Sequence, residues 1–465
     1  MMIRSLTGIA TTACCLAIAG GCASLPDTQF LGDRYATQAA RFENAWGPLS
    51  AKRSSAIVTN LKRNAGDAAL LDKQITLEQA ISGSPLVVGN EVRLLQDGPA
   101  TYHAMFAAMA AAKDHINLET FGIDDSDVGR QFADVLIAQQ SRGVQVNLIY
   151  DSVGALGTPR TYFDRLRAAG IQVVEFNPVN PLSTRKPWTL NHRDHRKLLI
   201  VDGRTAFLGG INISSVYSSG SSGRRRSDST AKAGAAGGWR DTDVQISGPV
   251  VAEFQKLFVQ TWNNQNGKPL TELHYFPELL RQGSEIVRAV GSTPDDPFSL
   301  IYLMLIAAIS NAEQRVYLTN AYFVPDPQLV KALVDAAKRG VDVRLILPRN
   351  SDSASAFYAG RSHYEDLLEA GVKIYERRGA LLHAKTAIVD GVWSCVGSSN
   401  LDWRSALDND EINAVVLSQT FAQSMETAFT EDMAASDEIS RESWKHRSLL
   451  LRLKEWTARL WGRLL

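Results

Sequence analysis

A chain of 465 residues, 45% hydrophobic and 21% charged, carries enough apolar material for a large core spread over two domains. Its 49 basic and 49 acidic side chains give a formal net charge of +0, which excludes the electropositive surface of a general nucleic-acid binder. In chain order, residues 1–21 read as a leader: Arg4 gives a positive start, Leu6 to Ile18 is an apolar run too short to span a bilayer, and Ala19-Gly20-Gly21 precedes Cys22. With Cys14 and Cys15 lost in such a leader, Cys395 has no free partner, and its apolar strand setting predicts a buried inert thiol rather than a disulfide.

Residues 22–84 form an N-terminal extension that is polar and helical in tendency. Residues 85–265 then alternate. Helix periodicity covers Thr101 to Lys113, Val128 to Gln140 and Thr161 to Ala169; strands fall at His115 to Phe121, Val144 to Tyr150 and Ile171 to Phe176. Residues 266–283 link to a second unit, 284–435, that repeats the order. Its helices are Phe298 to Ala312, Pro327 to Lys338 and Ser355 to Glu369; its strands are Arg315 to Phe323, Val341 to Leu347 and Val372 to Glu376. Strands alternating with helices predict an α/β protein of two tandem α/β/α sandwich domains related by pseudo-twofold symmetry, with mixed, largely parallel sheets.

Each unit ends on one polar pattern. His195-Arg-Lys197-Leu-Leu-Ile-Val-Asp202-Gly203 is followed by Asn212; His383-Ala-Lys385-Thr-Ala-Ile-Val-Asp390-Gly391 is followed by Asn400, every matched residue offset by 188 positions. The apolar runs read as strands, so each His shares a face with its Lys, and each Asp-Gly pair predicts a hairpin turn. Two copies folded face to face give one pocket with two His, two Lys and two Asn. That set suits phosphodiester chemistry. A neutral imidazole attacks phosphorus, a protonated one donates to the leaving oxygen, and the intermediate is a phosphohistidine. Lys197, Lys385, Asn212 and Asn400 are placed to bind the phosphoryl oxygens. Lysine is not a usual metal ligand, so the pattern argues against zinc and calls for no cofactor. Asp202 and Asp390 are grouped with the catalytic residues by their place in the repeat, with a turn role as the alternative.

The repeat resembles the phospholipase D superfamily, whose signature is a pair of H-x-K-x-x-x-x-D motifs, each followed by a glycine-rich turn and Asn. Asn400-Leu-Asp402-Trp-Arg404-Ser with Asn409-Asp-Glu411, and Trp239-Arg240-Asp241, are similar to the segments that follow the motifs in bacterial cardiolipin synthases. The resemblance covers about residues 85–435. It implies that Asp241 and Glu411 orient the two His, that His195 attacks and His383 handles the proton, and that the substrates are phospholipids and not nucleic acid. It further implies phosphatidylethanolamine as phosphatidyl donor and phosphatidylglycerol as acceptor. Hydrolysis to phosphatidic acid is the alternative outcome, and a non-catalytic lipid-binding protein the alternative of another class. The small residues before Cys22 resemble a lipoprotein cleavage site, which implies lipidation of Cys22 and a place in the bacterial envelope facing the periplasm. The sequence names no accessory protein.

Three segments remain. In the first unit His195 stands 25 positions after Gly170 where in the second His383 stands 12 after Gly371, and the extra stretch from Asn177 to Trp188 is a candidate lip over the pocket. Ser214 to Gly238, with Arg224-Arg225-Arg226, reads as a loop. Residues 436–465 form a basic tail: from Arg441 onward seven Lys or Arg and two Glu are interleaved with Trp444, Trp456, Trp461 and with Leu449, Leu450, Leu453, Leu460 and Leu464, the pattern of a helix that lies in a membrane surface.

Overall fold

The computed structural model describes residues 41–64, 70–180, 191–221, 238–270, 274–296 and 298–464. Cys22 and its leader, most of the candidate lip and the Arg224–Arg226 loop lie outside them.

Each half is a mixed sheet built on one plan. In the first half, strands β4 (His115–Thr120), β5 (Gln145–Asp151) and β6 (Gln172–Phe176) are parallel and are joined by the helices Asp127–Ser141 and Arg160–Ala168. The hairpin β8 (Lys197–Val201) and β9 (Thr205–Gly209) then runs antiparallel to β4, followed by β11 (Thr242–Ser247). The second half repeats this with β13 (Arg315–Asn320), β14 (Asp342–Pro348) and β15 (Lys373–Arg377) parallel, then the hairpin β17 (Lys385–Val389) and β18 (Trp393–Gly397), then β19 (Asn409–Leu417). Strand β3 (Leu86–Gln96) joins the two sheets. Its C-terminal part pairs with β11 and its N-terminal part with β12 (Glu285–Ser292), which lies against β19.

Alternation explains the layers. The inner faces of the sheets bury Leu198, Ile200, Val244, Ile246, Ile388, Val396, Ile412 and Ala414 between them, with Phe254 and Phe258 of one helix (Val251–Asn264) and Phe421 and Met425 of another (Gln419–Ala434). The outer faces are covered by helices. In the second half the helix Leu300–Asn311 is buried all round, because the extension helix Leu70–Ser82 packs over it. Gln74 donates to the Met304 carbonyl at 2.8 Å, and Glu78, fully buried, pairs with Arg288 at 3.4 Å and accepts the Trp393 indole N–H at 2.8 Å. The extension also supplies a short strand, Phe42–Asn44, parallel to β3.

The alternating elements lie within a few residues of their sequence positions, with one difference. The helix expected over Ser355 to Glu369 is two, Ala354–Arg361 and Tyr364–Ala370. The Ser362 hydroxyl donates to the Ala359 carbonyl, and the His363 N–H donates to Gly360, three residues back instead of four, so the ladder tightens and breaks there. The sequence reading also passed over β3 and β12, the joining strands. Cys395 is buried and its sulfur accepts from Asn413 at 3.1 Å; burial pushes the thiol up to about 12.

Candidate active site

Two short parallel pairings cross between the halves. Residues Arg193–Asp194 pair with the start of β19, and Trp239–Arg240 with Leu381–Leu382. As a result the His195 N–H donates to the Asp410 carbonyl at 2.9 Å, and the His383 N–H to the Arg240 carbonyl at 2.8 Å. Each His is thus tied to the residue just before the other half's acid. The imidazoles follow: His195 Nδ1 lies 3.1 and 3.2 Å from the two Glu411 carboxylate oxygens, and His383 Nδ1 lies 2.7 Å from Asp241 Oδ2. The orienting contacts are exchanged across the interface, which a reading of either half alone does not reveal. With Nδ1–H donated to a carboxylate, each ring keeps a lone pair on Nε2.

All of these side chains are buried. Burial, and next the Lys197 ammonium, push His195 down to about 4 against the pull of Glu411; burial and Lys385 do the same to His383, also to about 4. Burial, with the Lys385 ammonium beside it, lowers Lys197 to about 7, and burial lowers Lys385 to about 8. Burial would raise Glu411, but the positive charges of His195 and Lys197 and hydrogen bonds from His195 and Ser398 outweigh it and hold the carboxyl at about 2. Asp241 is likewise lowered, its burial outweighed by His383 and Lys385. The two half-sites therefore share one field. It disfavours added positive charge and favours a bound anion.

Each Lys donates to the carbonyl of its own His, Lys197 at 2.6 Å and Lys385 likewise, leaving the other ammonium hydrogens for a ligand. Asn212 Oδ1 accepts from the Gly122 N–H at 3.0 Å, and its amide nitrogen donates to the Tyr217 hydroxyl at 3.1 Å, which in turn lies 3.3 Å from His383 Nδ1. Asn400 is buried with Oδ1 unpartnered, lining a cavity of about 30 Å³ beside Lys385, room for about one water. Asp202 and Asp390 stand apart. They occupy the hairpin turns at positive φ, 53° and 50°, roughly 16 Å along the strand from the Lys. Asp202 accepts the N–H groups of Lys113, Asp114 and His115, and Asp390 those of Glu313, Gln314 and Arg315. Grouping them with the catalytic residues does not fit that placement; they lock each hairpin to the preceding βα unit.

Several contacts were not anticipated. Trp239 and Tyr217 pack their rings 5.0 and 5.9 Å from His383, and Phe121 lies 5.1 Å from His195. Ser398 and Ser405 donate to Glu411, Ser405 at 2.7 Å. Ser405 closes the segment Asn400-Leu-Asp402-Trp-Arg404-Ser, and Gly397-Ser398 against Gly209-Gly210 is a departure from the repeat that the sequence displays. Among the described residues no group of three or more His, Cys, Asp or Glu is arranged to hold a metal ion.

Residues 105–219 and 305–433 match the family model described as "Cardiolipin synthase, PLD-like domain". A cardiolipin synthase of Geobacillus sp. (strain WCH70) is 35% identical over 396 residues, 84% of this chain and 76% of that one. A cardiolipin synthase of Alkalihalophilus pseudofirmus is 32% identical over 435 residues, 93% of this chain and 83% of that one. Among solved structures, a phosphatidylserine synthase of Haemophilus influenzae Rd KW20 superposes with a TM-score of 0.61, covering 83% of this chain and 99% of that one; at 12% identity the likeness is one of fold. With the paired His and Lys in place, the chain belongs to the cardiolipin synthase family, phosphatidyltransferases of the phospholipase D superfamily.

Proposed function

We propose that this chain makes cardiolipin by moving a phosphatidyl group from a phospholipid donor, phosphatidylethanolamine, to phosphatidylglycerol through a phosphohistidine. The observation that carries the reading is the pair of Nε2 atoms left free by carboxylates on Nδ1, in a buried pocket with two ammonium groups. His195 Nε2 attacks phosphorus; the N–P bond forms and the bond to the headgroup oxygen breaks. His383 gives that oxygen a proton, then takes one from the acceptor hydroxyl, whose oxygen attacks phosphorus and releases His195. Burial and the neighbouring ammonium groups keep both imidazoles neutral at neutral pH. The phosphodiester anion opposes the field of Lys197 and Lys385, which raises His383 into its acid role and keeps both lysines charged. Lys197, Lys385, Asn212 and Asn400 bind the phosphoryl oxygens, and no divalent metal is required. Cys22 carries a lipid anchor that holds the protein in the envelope, facing the periplasm.

The test is incubation of purified protein with defined lipids in the presence of chelator, with products read by mass spectrometry. Cardiolipin formed from phosphatidylethanolamine and phosphatidylglycerol is the expected result. Phosphatidic acid alone would make the protein a hydrolase. No turnover of any phospholipid, with vesicle binding retained, would make it a lipid-binding protein.

A further inference from the structure

The tail helix is inverted. Over Leu449–Leu460 the side turned to the protein carries Glu455, 2% exposed, with the half-buried Leu451 and Ala458. The opposite stripe is apolar and in solvent: Leu449, Leu453, Trp456 and Leu460, at spacings of four, three and four, are all more than half exposed. Exposed Arg452 and Arg459 flank the stripe on one side, while Lys454 reaches back over the Tyr358 ring at 5.3 Å. A helix folding for its own burial turns its leucines inward. This one is held the other way by charge. Glu455 pairs with Arg447 at 2.8 Å and with Arg361 at 3.6 Å, and both guanidiniums lie over the buried ring of Trp444, at 4.4 and 4.8 Å.

The stripe ends beside the active site. Arg463 lies over Trp403 at 5.3 Å, and Ala458 packs against the cluster that holds Val324. Val324 and Leu401 are hydrogen-bonded neighbours, next to Tyr322, whose ring is 6.2 Å from His383, and to Asn400. At the same end of the first half, exposed Val153 and Leu156 follow β5, and exposed Val216 precedes Tyr217.

We propose that the tail stripe and this first-half rim form one docking face for an anionic lipid bilayer, setting the mouth of the catalytic pocket against the membrane. The occupant follows from the surface. Leucines and tryptophans flanked by basic side chains match an acyl region topped by anionic headgroups. The face deepens the phospholipid reading and rests on it only for what the pocket takes up there.

The experiment uses the full chain carrying Cys22→Ser, so that no lipid anchor contributes. Binding to vesicles of phosphatidylglycerol and phosphatidylethanolamine is measured by co-sedimentation, with the thermal midpoint as the control for folding. The double variant Leu453→Glu, Trp456→Glu should lose about tenfold or more in partitioning. Arg452→Glu with Arg459→Glu should weaken binding to vesicles that contain phosphatidylglycerol and not to neutral ones. Leu156→Glu, with the tail intact, should weaken binding several-fold. Trp fluorescence should be quenched by lipids brominated near the headgroup, and less so in the Trp456→Phe, Trp461→Phe variant. Unchanged binding in the stripe variants, or loss of a dimer instead of vesicle binding, overturns the proposal. An effect of the stripe variants but none of Leu156→Glu overturns the shared face. Turnover of a short-chain monomeric phospholipid by the parent protein separates the readings: its absence, with stripe-dependent vesicle binding intact, defeats the proposed activity and leaves the face standing.

Discussion

The two half-sites carry the same four residues but are not held alike. His383 has a single short contact to Asp241, flanked by Tyr217 and Trp239. His195 faces both oxygens of Glu411, and those oxygens are also bound by Ser398, Ser405 and Asn409. The difference starts at one position. Where the second half has Ser398, the first has Gly210, whose missing Cβ would sit 2.3 Å from Asp241 Oδ1. One carboxylate therefore approaches its ring closely, with the Thr242 N–H at 2.8 Å on its other oxygen, while the other is fixed by a cluster of side-chain donors. A base fixed in place suits a ring that must stay neutral and attack. A carboxylate given mainly to its ring suits one that must gain and lose a proton.

The largest expected effect breaks the comparison outright. His195→Ala and His383→Ala should each lower turnover by about 10⁴-fold or more. Acid-quenched trapping with a labelled donor that has a good leaving group then tells them apart. His383→Ala should still form the covalent adduct and His195→Ala should not; label on His383 would reverse the roles.

Removing an orienting charge comes next. Asp241→Asn and Glu411→Gln should each reduce turnover by roughly 10²- to 10⁴-fold. The Asp241→Asn defect should shrink with a better leaving group, because it weakens proton donation. The Glu411→Gln defect should persist, because it weakens attack. Equal recovery in both would show that the two carboxylates do the same work.

Ser398→Gly makes the second half locally like the first. Loss of one donor should raise the Glu411 carboxyl from about 2 and lower turnover roughly tenfold, with the acid limb of the rate profile moving to higher pH. An unmoved acid limb would mean Ser405 and Asn409 suffice.

The imidazoles also set a pH dependence of stability. Both titrate at about 4 in the folded protein, below the ordinary value of 6.5. The unfolded chain therefore binds more protons between those values. Their contribution is complete above about 6.5 and is lost as pH falls toward about 4. Denaturant midpoints measured across that window should fall with pH, less so in a His195→Gln, His383→Gln variant.

The smallest effect should come from the turns. Asp202→Ala and Asp390→Ala should each cost about 1–3 kcal/mol of stability while sparing turnover per folded molecule, measured by denaturation beside a rate normalised to folded protein. A selective loss of rate would return them to the chemistry.

Sequence alone made the local pattern legible: periods of two and of 3.6 marked most strands and helices, and the 188-residue register paired His195 with His383 and Lys197 with Lys385. The family resemblance also reached Asp241 and Glu411. It does not say which acid meets which ring, because that depends on strand pairs of two residues, too short for any period to show. The same holds for Asp202 and Asp390, where one carboxylate in a repeated motif serves equally as a catalyst or as a turn lock until its three backbone partners are seen. The tail's pattern was plain, but only the Glu455 contacts reveal which face it turns outward.

The exchange of orienting groups also has a meaning in time. His195 and Glu411 are 216 residues apart in the chain. At ordinary rates of synthesis roughly 10 to 40 seconds separate their appearance. Throughout that interval His195 has no carboxylate, and Asp241 has no ring to hold until His383 appears 142 residues after it. A chain ending before Glu411 should therefore be inert toward phosphodiesters, competence arriving only when the last strands close across the seam.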